Sequence, residues 1–414
     1  MVPLNGFYIF SALKRNMKPN NQHKSYVGIH EFFLDKELLL FSDLNGNLYR
    51  LNTSAAFIWC HQAEGFSTQE IIHAMVDTFG ISAEKAQSDV RASLSEWRHL
   101  GLLYDHNTVP ATENFLPRME NSKPAGVGHH PQRLTLTHAY KHCYRFGSVC
   151  FQVRFANLET KQIVHPIIAH LEIASNTPCN SVFDITKESE GYLLSRNFIP
   201  LATCQDLREV GPLVHGELLV TACKSSECLA IIHAAAMAKG NYAILFPGDS
   251  GSGKSTLAAG MIAAGYRYLS DEIVLLTSHP YHVLPISLSI GLKEGAWPVL
   301  SPFHPIIEKL PIYHRQDGKK IRYLAPHDIS NQVTISYPVR QIIFPCYIAG
   351  ITTYVQPIGR AEALNRIAEG GYDVNSRLNS TTISELVNWI SNIECWELRY
   401  SSLPEAINHI QKLT

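Results

Sequence analysis

The sequence has no apolar run approaching the length of a bilayer span. It has no excess of either charge: 35 basic residues stand against 36 acidic ones, a formal net charge of -1. That balance gives no electrostatic footprint for nucleic acid or an anionic membrane surface. The nine cysteines include no C-x-x-C pair, and their odd number suits reduced thiols in a cytoplasm rather than a disulfide framework. The chain has 20 histidines but no H-E-x-x-H, and His129 with His130 falls in a Pro/Gly-rich stretch, so no spacing marks a histidine metal site. Residues 7–13 are too short for a secretory signal, and their charges, Lys14 and Arg15, follow rather than precede them. A cytoplasmic globular protein of two or three domains is expected from 414 residues that are 45% hydrophobic.

What is present is organised around residues 248–256, GDSGSGKST. The apolar run 242–246 precedes them and the apolar run 257–264 follows, giving a strand, a glycine loop and a helix. The spacing fits G-x-x-x-x-G-K-[ST], in which backbone N–H groups surround phosphate oxygens and glycines let the loop approach them closely. Gly248, Asp249, Ser250, Gly251, Ser252, Gly253, Lys254, Ser255 and Thr256 are therefore the candidate ATP-binding set. Lys254 is expected to reach the β and γ phosphates, and Ser255 to ligate Mg²⁺. Residues 243–246 read as a buried parallel strand, with Gly265 ending the helix.

Residues 1–23 read as a loose tail and 24–106 as a small domain of strands and three helices. Asn45-Gly46 suggests a two-residue hairpin before a strand at 48–51, and Ser67 with Glu70 forms a capping box. The third helix mixes Lys85, Arg91 and Arg98 with Glu84, Asp89 and Glu96, so it offers no basic face to DNA. LYRLNTSAAFIW at 48–59, GFSTQEI at 65–71 and HLGLL at 99–103 make this winged-helix, α+β region resemble the PqqD-type peptide chaperones. The resemblance implies capture of the leader of a ribosomally made precursor peptide. That leader would add as a strand near Leu48, Tyr49, Arg50 and Leu51 and lie against the helix at 83–100. A packing or dimerisation domain without a peptide ligand is the alternative, and homo-oligomerisation is left open.

Residues 107–131, with four prolines and two glycines, read as a linker. Residues 132–414 read as an α/β domain in which a strand-rich layer frames the glycine-loop core. Within it His233 sits in the apolar stretch LAIIHAAAM, and Asp271 and Glu272 lie between two apolar runs. Adjacent acids there are costly to bury unless they meet a cation or proton donor. A plain polar turn for the acids and a satisfied core histidine are the alternatives. IIHAAAM, GDSGSGKST and AAGYRYLSDEIVLL together resemble the HPr kinase/phosphorylase family. By that resemblance Asp271 is the catalytic base, Glu272 a metal-side acid and His233 a histidine near the phosphates. The family's second acid is usually aspartate, and its phosphorolysis signature is missing here. The expected protein is an ATP- and Mg²⁺-dependent kinase acting on a hydroxyl, serine by the family, of a precursor peptide in natural-product maturation. An ATP-switched peptide chaperone and a small-molecule kinase remain open. Lys319, Lys320 and Arg322 form a basic cluster of unassigned role.

Overall fold

The computed structural model describes residues 26–103, 139–225, 227–326, 335–370 and 378–414. The proposed tail, the whole of the proposed linker and the start of the C-terminal domain lie outside these residues. The described chain divides into two compact units, and the smaller joins the N-terminal region to residues 359–369 and the helix Ser380–Ile390.

The smaller unit is built on an antiparallel sheet of β1 (Ile29–Leu34), β2 (Glu37–Ser42) and β3 (Leu48–Leu51). The two-residue hairpin falls between β1 and β2, where Leu34 pairs with Glu37 and Asp35 takes a left-handed φ of 55°. Asn45-Gly46 instead lies within the longer connection 43–47. Gly46 has the required positive φ of 69° there, and Asn45 turns its side chain back to accept from the Asn47 amide. Helices α1 (Thr53–Ala63), α2 (Thr68–Phe79) and α3 (Ala83–His99) start at the side-chain caps Asn52, Ser67 and Ser82. The Ser67/Glu70 capping box forms as its sequence predicts.

These three helices cover one face of the sheet, around Leu38, Leu40, Trp59, Val90 and Trp97. Leu39 and Phe41 project from the other face and are equally buried. The helices Arg360–Glu369 and Ser380–Ile390 pack on the sheet strands, and Arg50, which pairs across from Leu39, reaches Glu362 at 3.8 Å. Burial on both faces explains why residues 38–41 are continuously apolar rather than alternating.

The larger unit contains two principal sheets. The first orders β4 (Tyr140–Phe146), β5 (Val149–Phe155), β6 (Glu172–Ile173), β7 (Ser181–Glu188), β8 (Gly191–Arg196) and β9 (Ile199–Cys204) as β6-β4-β5-β7-β8-β9. Helix α4 (Leu158–Ile168) makes the crossover between β5 and its parallel neighbour β7, and α5 (Leu207–Ser225) follows β9. Pro212 is accommodated near the start of α5, which continues past it.

Among the described residues the second sheet has nine strands, and it carries the glycine loop on Tyr242–Pro247. That strand is parallel to Tyr337–Tyr347 but antiparallel to Ala234–Lys239, so its surroundings are mixed rather than all parallel. The apolar run specifies burial, not direction, and a short turn at Gly240 supplies the antiparallel partner. One hydrophobic cluster includes Phe151, Phe183 and Leu218 of the first sheet's layer together with Ile231, Ile273 and Leu275 of the second. The strand-rich layer thus shares its core with the strands that flank Asp271 and Glu272.

Candidate functional site

Strand register brings His233, the glycine loop and the acidic pair to one end of the sheet. Ala234 pairs with Pro247, so the residue before it, His233, comes opposite Gly248 at the start of the loop. On its other side Ala234–Lys239 pairs antiparallel with Arg267–Ser270, with Ala236 opposite Ser270. Two strands running the same way past a shared antiparallel neighbour deliver Gly248 and Asp271 to the same end. Val274 then pairs with Ile232, which folds residues 271–273 across the His233 position.

The loop itself needs its glycines. Gly251 and Gly253 have φ of 100° and 96°. A Cβ on Gly253 would stand 2.1 Å from Tyr400 Oη, whose hydroxyl donates to the Gly253 carbonyl at 3.3 Å. The helix Lys254–Ala263 begins immediately after, with Gly253 as its cap and Gly265 left-handed at φ 87° beyond its end. Its N-terminal amides, free of any side-chain cap, open toward the loop.

Lys254 is buried and its Nζ donates to the carbonyls of Gly248 and, at 3.0 Å, Asp249. Burial lowers its pKa, opposed by the carboxylates of Asp271, Glu272 and Asp249. Asp271 is buried, and burial followed by the Glu272 charge pushes it up to about 7. Hydrogen bonds from the Ser255 hydroxyl and the Gly291 amide, with the Lys254 charge between them in weight, pull the other way. Among the described residues, Asp271 Oδ1 has no hydrogen-bond partner, nor has the buried Ser252 Oγ. Unsatisfied buried acceptors of this kind are expensive unless a ligand or ion meets them. His233 is half-buried, and burial and then the Lys254 charge lower its pKa, so it stands neutral beside the loop.

Two contributors went unassigned in the sequence. The strand Ile290–Lys293 sets the Gly291 amide on Asp271 and puts Lys293 Nζ 3.0 Å from Ser250 Oγ. Lys293 is therefore a second cation at the loop, and its distance along the chain hid it. From α5, the buried His215 packs against Tyr323 with ring centroids 4.8 Å apart, and its Nε2 lies 2.9 Å from the accepting Ser289 carbonyl. Burial lowers its pKa against the nearby Glu272 charge.

The basic cluster is spent on local contacts. Lys319 pairs with Asp317 at 2.9 Å, and Lys320 lies 4.0 Å from Glu294. Arg322 stacks over Trp297 at 4.2 Å and donates to the Ile307 carbonyl.

In the smaller unit, among the described residues β3 pairs only with β2. Ser42 N donates to Asn47 O, and Asp43 N donates to Gly28 O on the opposite side, so the backbone of β2 alternates between its neighbours. Following the register, Leu38 and Leu40 face β3, which turns Tyr49 and Leu51 inward. The N–H and C=O groups of Leu48 and Arg50 therefore point to the open edge.

The family model of coenzyme PQQ synthesis protein D (PqqD) matches residues 37–103, the span from β2 through α3. No curated protein matches the chain. Residues 37–103 thus form a PqqD-like domain, and no helix among the described residues is long and apolar enough to cross a membrane.

Proposed function

We propose that this protein is an ATP-dependent kinase that transfers the γ-phosphoryl group to a hydroxyl, serine by resemblance, of a ribosomally made precursor peptide held by its PqqD-like domain. The observation that carries the reading is Asp271: a buried carboxyl beside the loop lysine, with one unpartnered oxygen and a pKa raised to about 7. A group poised near neutral pH can take the acceptor hydroxyl's proton as the new P–O bond forms. Lys254 and Lys293 offer positive charge to the phosphate oxygens, and the loop amides and helix N-terminus add their dipoles. The donor set of Ser255 with Glu272 fits Mg²⁺, a hard cation that takes oxygen ligands and neutralises phosphate charge, and leaves Asp271 as the base. Catalysis is then positioning plus electrostatic stabilisation.

The PqqD-like domain favours a peptide over a free metabolite as acceptor. Tethering a captured leader to the chain that bears the glycine loop raises the acceptor's effective concentration without any added contact at the reacting atoms. Capture by strand addition would use the outward groups of Leu48 and Arg50.

Calorimetric titration with ATP·Mg²⁺ tests the nucleotide half of the reading. Wild type is expected to bind one equivalent and Lys254→Ala to lose most of the affinity while remaining folded. Equal binding by the two proteins would remove the loop from the account.

A further inference from the structure

We propose that His142, His165 and Glu172 form a binding site for a divalent transition-metal ion, with zinc as the reference metal, on elements separate from those that carry the glycine loop. The three come from β4, α4 and β6. Their ligand atoms all lie within 4.8 Å of one another. His142 Nδ1 is 2.5 Å from Glu172 Oε1, and His165 Nε2 is 3.9 Å from Glu172 Oε2. The two imidazoles converge, with ring centroids 5.1 Å apart.

The fold explains the convergence. β4 and β6 pair antiparallel with Tyr144 opposite Glu172, and His142 projects from the same face as Tyr144 because strand side chains alternate. The last turn of α4 supplies His165, and the short 3-10 turn Ala169–Leu171 leads from it directly into Glu172. One ion would therefore join a helix end, a two-residue strand and the neighbouring β4.

Metal–ligand bonds of about 2.0–2.2 Å in a tetrahedral site place ligand atoms about 3.3 Å apart. The contacts here bracket that separation, so loading requires side-chain shifts on the order of 1 Å, and Glu172, at 41% exposure, is free to make them. His165 Nδ1 lies 2.8 Å from the hydroxyl of the buried Tyr144. When Nε2 takes the metal, Nδ1 carries the proton and donates to the Tyr144 oxygen, the outer hydrogen bond that fixes tautomer and ring orientation at histidine metal sites. An ordinary surface ion pair would account for His142 and Glu172 but not for a second histidine aimed at the same carboxylate by a buried phenol. Three protein ligands of mixed imidazole and carboxylate type at a solvent-facing rim leave a fourth position for water or an incoming donor.

Titration of the full, metal-stripped protein with Zn²⁺, and separately with Co²⁺ followed by its visible d–d absorption, tests the site. Wild type is expected to bind one ion that His142→Ala and His165→Ala each fail to bind, or bind at least tenfold more weakly, with loss of the Co²⁺ band. Tyr144→Phe, which keeps the ring, is expected to weaken binding by about 10- to 100-fold. Circular dichroism in the presence of chelator identifies any variant that has unfolded, and Tyr144→Phe together with Glu172→Gln then carries the comparison. Folded variants that take up the same number of ions as wild type with the same affinity overturn the proposal, as does a wild type that binds none.

Discussion

Lys293 Nζ donates a 3.0 Å hydrogen bond to Ser250 Oγ, tying the strand Ile290–Lys293 to the glycine loop. The same strand supplies the Gly291 amide to Asp271, so one short element touches both the glycine-loop side and the acid side of the site. Lys293→Met keeps the stem and removes the charge. It is expected to weaken ATP·Mg²⁺ binding by about tenfold, the scale of one hydrogen bond to a charged group. Calorimetry decides it, and unchanged affinity would leave Lys293 a loop buttress.

The raised pKa of Asp271 makes stability depend on pH with a definite sign. An ordinary unfolded aspartate titrates near 4, whereas Asp271 in the fold titrates at about 7. Its folded form therefore holds the proton more tightly, and the stability associated with that proton is full below about pH 4 and lost as pH rises toward 7. Asp271→Asn does not titrate. In nucleotide-free protein it is expected to match wild type near pH 4 and to become the more stable of the two above pH 7. The gap should reach up to a few kcal/mol, since each tenfold difference in proton affinity between the folded and unfolded carboxyl is worth about 1.4 kcal/mol. Urea denaturation of both proteins across that range measures the difference. A constant gap would mean that the folded and unfolded carboxyls titrate alike.

Under the proposed strand addition, peptide capture by β3 would depend on which amides face outward. Arg50 turns its N–H to the open edge, while its side chain forms a two-point contact with Glu37 at 2.6 and 2.8 Å. Arg50→Pro removes both the amide and the ion pair, whereas Arg50→Ala removes only the pair. Fluorescence anisotropy with a labelled precursor leader is expected to show binding reduced at least tenfold by proline and little changed by alanine. Equal losses would assign the effect to the side chain, and no loss in a folded proline variant would exclude strand addition at this edge.

Local chemistry made the glycine loop, the Ser67 cap and the β3 strand legible in the sequence, because each is written in contiguous residues. The assembly of His233 with Asp271 is not local. It depends on Ala234 pairing with Pro247 and Ala236 with Ser270, and only resemblance to a family suggested it in advance. Lys293 was visible as a residue but had no role until the register of its strand was known. The helices Arg360–Glu369 and Ser380–Ile390 are amphipathic, yet an apolar stripe does not say which body will cover it. They pack on the sheet of the smaller unit, whereas the segments that follow them, Glu394–Tyr400 and Leu403–Leu413, belong to the larger one. The His142, His165 and Glu172 cluster escaped for the same reason, since its spacing fits no metal motif and only the β4–β6 pairing and the end of α4 unite it.

The central claim is phosphoryl transfer to a captured peptide with Asp271 as the base. The most direct measurement is mass spectrometry of a ribosomally made precursor peptide whose leader the chain binds, co-expressed with either wild type or Asp271→Asn. Asparagine keeps the size and much of the hydrogen bonding of the carboxylate but neither its charge nor its proton affinity. The account predicts a phosphate on a hydroxyl side chain of the precursor with wild type, and at least ~100-fold less with Asp271→Asn although that variant still binds ATP. Abundant phosphopeptide from the asparagine protein, or none from wild type given its own precursor, would contradict it.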